Sequence, residues 1–130
     1  MTLEIGLKGH AETTVTPELT AAACGSGSLP VYGTPLMLAL MEEAACRSLE
    51  GHLDEGWSSV GIGMTLSHDA ATPVGMKVWA ESVLSQVEGR KLTFDVTAYD
   101  EAGKIGTCRQ QRFLIQSEKF LHKCNSKLHP

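Results

Sequence analysis

Glu42 is the residue of this sequence whose setting most needs an explanation. It stands in "GTPLMLALMEEAACRSLEG" (33–51), where Pro35 just inside the start and Gly51 just past the end punctuate a helix capped by Thr34. On such a helix Glu42 and Glu43 point about 100° apart. Glu43 has Arg47 four residues on, in the favourable order for an ion pair. Glu42 has only Leu38, Ala39, Ala45 and Cys46 three and four residues away. Burying its charge there costs several kcal/mol unless something compensates. It therefore calls for a partner on another element, reached at a sheet edge, or for a task.

Two further residues carry matching chemistry. His68, in "SHDAATPVG" (67–75), follows the strand-like "GIGMTLS" and precedes a turn opened by Pro73. A histidine at a strand end is a turn residue or a proton carrier, and in the second role it is the obvious partner for Glu42. Thr34 caps the helix or, helped by the helix dipole and the free amides, holds a developing oxyanion or a reacting carbonyl. The other histidines, His10, His52, His122 and His129, are scattered, and no H-x-x-x-H or Cys/His cluster points to a metal.

The elements that must position these residues can be read from the period of the chain. The helix is apolar almost all round over its first three turns, which predicts that other structure wraps it. "AAACGSGSLP" (21–30) reads as a loop in front of it. From Gly61 onward the period changes: segments near 60–67, 76–87, 90–100 and 104–116 are rich in Val, Ile, Thr and aromatic residues, separated by turn signals. Within "KLTFDVTAYD", Leu92, Phe94, Val96 and Ala98 alternate with Thr93, Asp95, Thr97 and Tyr99, the pattern of a strand with one buried face. The short connections predict an antiparallel sheet, with one more strand before about Thr16. One buried helix and a meander of strands predict an α+β fold in which the sheet curls round the helix.

Composition narrows the rest. With 130 residues the chain is expected to form a single domain, residues 1–130, with 121–130 as a surface tail. Fifteen acidic against 11 basic residues, without basic clusters, argue against nucleic acid as partner. No apolar run suggests a membrane span, and the start "MTLEIGLKGHAETTV" lacks the pattern of a secretory signal, so a cytoplasmic location is expected. Cys24, Cys46, Cys108 and Cys124 show no pairing motif and read as reduced thiols.

Taken together, "GTPLMLALMEEAAC", "SHDAATPVG", "VEGRKLTFDVTAYDEAGKIG" and "RFLIQSEKF" resemble, in order and over about residues 6–120, the hotdog-fold thioesterases of the fluoroacetyl-CoA thioesterase type. The Thr-to-Glu spacing and the H-x-A-A-T-P turn are the most specific parts. The resemblance implies a long central helix wrapped by a curved antiparallel sheet. It also implies an acyl-CoA thioesterase acting on a small acyl group, with Thr34, Glu42 and His68 as the catalytic set. Substrate would lie against Tyr32, Gly33 and Gly61, and no cofactor would be needed, CoA being part of the substrate.

By the same resemblance the protein is a homodimer with sites at the interface, so that Glu42 and His68 meet across it, and a tetramer stays open. Which of Glu42 and Thr34 forms a covalent intermediate, or whether Glu42 activates water instead, also stays open. Arg112 matches the group's pattern too, but reads as an exposed strand residue with a structural role. One departure stands out: the family's phenylalanine lid has no counterpart in "CGSGSLPVYG", where Tyr32 is the one aromatic. A hydratase of the same fold would carry an Asp and a His in a G-D-x-N-P-x-H stretch, which is absent. The rival reading is a non-catalytic acyl-CoA-binding hotdog module.

Overall fold

The computed structural model describes residues 1–130. Strand β1 (Lys8–Thr14) leads through a short 3-10 turn to helix α1 (Ala21–Cys24) and the long helix α2 (Thr34–Leu49). Strands β2 (Trp57–His68), β3 (Lys77–Glu88), β4 (Lys91–Asp100) and β5 (Gly103–Gln116) follow, then helix α3 (Ser117–Asn125). The five strands form one antiparallel sheet in the order β1-β3-β4-β5-β2.

Alternation does what it predicts on β4, where Leu92, Phe94, Val96 and Ala98 are buried. They meet Met37, Leu40, Met41, Ala44, Ala45 and Leu49 of α2 in one core. Each fully buried Leu, Met or Phe there stabilises the fold by about 1.5–3 kcal/mol. Two glycines let helix and sheet approach. A side chain on Gly9 would collide with the Ala44 carbonyl, and one on Gly106 would reach the Ser67 carbonyl at 2.5 Å and Met37 Cε at 2.8 Å.

Four details depart from the sequence reading. Ala21–Cys24, expected as loop, makes one helical turn, capped by the Thr20 hydroxyl on the Ala23 amide and closed by Gly25 at φ 78°. Gly33, not Thr34, is the N-cap of α2, so Thr34 is its first helical residue and its hydroxyl is free for another partner. The closing strand stops at Gln116, and "SEKF" opens α3, every residue of which is at least partly exposed. Lastly, α2 is wrapped on one face only: Ala39 and Cys46 are exposed and Leu38 is half-buried.

The two sheet edges differ in kind. The seven-residue β1 carries Lys8 and Glu12, charges that discourage a further strand. The twelve-residue β2 has no Asp, Glu, Lys or Arg, none of its residues is buried, and Ile62 is 52% exposed. No helix is long and apolar enough to cross a membrane.

Candidate active site

At the head of α2, Thr34 Oγ1 lies 2.7 Å from His68 Nδ1. His68 is the last residue of β2, paired with Gly106 of β5. The turn after it is tied down at several points. The Asp69 and Ala70 amides both donate to the Ile105 carbonyl, at 2.7 and 3.3 Å, and the Ser67 hydroxyl donates to the Asp69 carboxylate. The buried Thr72 hydroxyl donates to Asp100 at 2.7 Å, while the Thr72 carbonyl accepts from the Tyr32 amide at 2.9 Å. The imidazole and the start of the helix are thereby held by one hydrogen-bonded frame.

Burial pushes the pKa of His68 below its ordinary value, with the Ala70 backbone and the Asp69 charge acting in the opposite direction. Its Nε2 is buried without a hydrogen-bond partner. Beside the pair lies a cavity of about 250 Å³, lined among others by Ala21, Ser26, Val31 and Tyr32. Tyr32 is buried, its hydroxyl donates to the Leu36 carbonyl at 3.2 Å, and burial raises its phenol pKa. It is therefore a neutral wall that braces the first turn of α2. Gly33 is tightly packed, since a Cβ there would meet Cys24 Sγ at 3.1 Å and the Ala21 nitrogen at 3.3 Å.

Glu42 belongs to a second cluster. Its Oε2 accepts from Arg112 Nη1 at 2.8 Å. The same Nη1 donates to Gln110 Oε1 at 2.9 Å, Arg112 Nε donates to Ser59 Oγ at 2.8 Å, and Nη2 donates to the Ser59 carbonyl at 3.2 Å. The Arg112 side chain is 6% exposed and that of Glu42 36%, so the guanidinium is sunk in the fold and the carboxylate reaches the surface. Gly61 makes the room: a Cβ there would stand 2.8 Å from Glu42 Oε2 and 2.7 Å from Met64 Cε. The charge of Glu42 also contributes, after burial, to raising the pKa of the Cys108 thiol.

One expectation is corrected here. Arg112 is a buried residue and the cation that Glu42 lacks in its own helix. The signal was present in the sequence: Arg112 and Gln110 share parity along β5 with Cys108 and Leu114, and all four face inward. His68 is not the partner of Glu42 within one chain, since it pairs with Thr34, eight residues and roughly 12 Å of helix axis away from Glu42. Glu43 pairs with Arg47 at 2.9 Å, as its spacing predicts.

Comparison with known proteins gives this geometry its context. The profile of a family described as fluoroacetyl-CoA-specific thioesterase (FlK) matches residues 15–118. The chain belongs to this family. It is 38% identical over 97 residues to the fluoroacetyl-CoA thioesterase of Streptantibioticus cattleyicolor, covering 75% of this chain and 70% of that protein. A solved structure of the fluoroacetyl-CoA thioesterase FlK superposes with a TM-score of 0.90 at 31% identity, over 98% of both chains. A Thermus thermophilus protein described as a thioesterase superfamily member follows with a TM-score of 0.88 at 28% identity, over 98% of this chain and 97% of that one. The fold is the hotdog fold of FlK and its relatives, with α2 as the central helix.

Proposed function

We propose that this member of the FlK family hydrolyses a small acyl-CoA thioester to the free acid and CoA, and that each site joins Thr34 and His68 of one chain to Glu42 of a second copy. The observation that carries this reading is the Thr34–His68 contact at the head of α2, beside a cavity and with the buried Nε2 unpaired. An Nδ1–H donating to Thr34 Oγ1 frees the threonine proton to point at the thioester carbonyl. There the hydroxyl and the helix N-terminus steady the oxyanion as it forms. The Nε2 lone pair, buried in the single chain, takes a proton from the water that substrate and the second copy bring to it, and the water oxygen forms the new C–O bond. The C–S bond then breaks, and the proton passes to the departing CoA sulfur. The carboxylate of Glu42 holds and polarises that water and balances the imidazolium.

Support for the second copy comes from the edge of the sheet. The long, uncharged, unburied β2 is suited to pair with its own equivalent about a two-fold axis. Glu42 stands beside Gly61 on that strand, so pairing there would carry it towards another chain. Ala21, Ser26 and Val31 are small and leave the cavity beside His68 unobstructed, which favours small acyl groups in general over recognition of fluorine. Four free cysteines suit a reducing compartment, and we place the reaction in the cytoplasm.

The test is thiol release from a panel of acyl-CoAs, acetyl to long-chain and aromatic, with Glu42→Gln beside the wild type. Hydrolysis of small acyl-CoAs that collapses in the variant supports the reading. Binding of CoA esters without release would leave only the binding module.

A further inference from the structure

Gln110 lies on the inner face of β5 and is fully buried. Its Nε2 donates to the Met41 carbonyl at 3.3 Å, and its Oε1 accepts from Arg112 Nη1 at 2.9 Å. The second Nη1 bond runs to Glu42 Oε2 at 2.8 Å. Met41 and Glu42 are neighbours on α2, so the contacts close a ring from helix backbone through Gln110 and Arg112 to the carboxylate and back to the helix.

The chemistry of that ring is selective. A guanidinium only donates and a backbone carbonyl only accepts, so the group between them must accept on one side and donate on the other. A carboxylate fails at the carbonyl, an ammonium fails at the guanidinium, and a thioether fails at the carbonyl and accepts only weakly at the guanidinium. A primary amide meets both demands, and the donor-only character of Arg112 fixes which way it is turned.

We propose that Gln110 is a positioning residue for the hydrolysis. It locks the rotation of Arg112 about the Ser59 contacts and registers the guanidinium against the helix that carries Glu42, so that the carboxylate faces outward at one angle. The proposal rests on the reading of Glu42 as a working carboxylate. Its structural half, the lock on Arg112, can be measured without that reading.

The experiment compares wild type, Gln110→Met and Gln110→Glu. Methionine keeps length and approximate volume while removing the donor and leaving only a weak acceptor. Glutamate keeps the acceptor, loses the donor and sets a second carboxylate against Arg112. Hydrogen exchange of Arg112 Nε–H, followed by NMR, reads the lock directly and is expected to be at least about tenfold faster in Gln110→Met. With the best acyl-CoA of the panel, kcat is expected to fall about tenfold while KM stays within about twofold, as for a misdirected group rather than a lost binding contact. Gln110→Glu is expected to fall further, and it decides the matter with the exchange rate if Gln110→Met does not fold. Unchanged exchange and unchanged kcat in a folded variant overturn the proposal. Faster exchange in a protein whose wild type releases no thiol would support the lock on Arg112 and instead overturn the function proposed for the site.

Discussion

Thr34 Oγ1 and His68 Nδ1 lie 2.7 Å apart although 34 residues separate them in the chain. The contact exists because Gly33 takes over the capping position and Thr34, as the first helical residue, turns its hydroxyl to the end of β2. A residue that looks like a helix cap in sequence is thereby tied to an imidazole.

In the proposed hydrolysis the state of that imidazole sets the pH dependence. Burial lowers the His68 pKa below its ordinary value of 6.5. The neutral base therefore persists to lower pH than in a free histidine, and the acid limb of kcat/KM should fall below pH 6.5. The same shift has a stability consequence. Between the folded and unfolded pKa values the unfolded chain binds more protons, so stability contributed by His68 is complete above the unfolded value and declines as pH falls through this window. A pH–rate profile beside urea titrations at several pH values measures both.

Gly61→Ala should injure catalysis more than folding. Its Cβ would fall 2.8 Å from Glu42 Oε2 and 2.7 Å from Met64 Cε. The methionine end can swing aside, but the carboxylate is held by Arg112 and must leave its position. A loss of about tenfold or more in kcat, with a Tm close to wild type, is the expected result. Wild-type kinetics would show that the position of Glu42 does not matter.

Asp100→Ala should act at the other end of the frame. It removes the acceptor of the buried Thr72 hydroxyl and of the Ala102 amide. An unpaired buried hydroxyl costs about 1–3 kcal/mol, which urea denaturation would read directly. Because the Thr72 carbonyl receives the Tyr32 amide, kcat should fall as well, through loosening of the contact between the His68 turn and the start of α2.

Ile62→Lys tests the edge. Ile62 is exposed on β2, at the point where the pairing with β5 shifts register between Gly61 and Gly63. A lysine there costs the single chain little and sets a desolvated charge from each copy into the proposed two-fold pairing. Sedimentation should show a folded monomer, and thiol release should be lost with the dimer. A monomer that retains full activity would place the whole site within one chain.

Much of this arrangement was legible because period and burial agree. The alternation of Leu92 to Ala98 gave β4 and its inner face, and Pro35 with Gly51 bracketed α2. Arg112, as a charged strand residue, reads as exposed, although Cys108 and Leu114 assign that face of β5 to the core. Ala21–Cys24 was hidden because one capped helical turn is too short to show a period. The separation of Glu42 from His68 has no local signal, since it depends on which element each side chain finds after folding. The β5 cation for Glu42 and the helix-start partner for His68 are both long-range contacts.

Subunit mixing tests the central claim most directly. Thr34→Ala and Glu42→Gln are each prepared as inactive protein, combined, allowed to exchange subunits, and assayed for thiol release. If each site takes Thr34 and His68 from one chain and Glu42 from the other, a mixed dimer holds one intact site and one doubly altered site. Equal mixing should then restore about a quarter of wild-type activity. If subunits demonstrably exchange and no activity returns, the three residues do not work across the dimer, and the account of the site is contradicted.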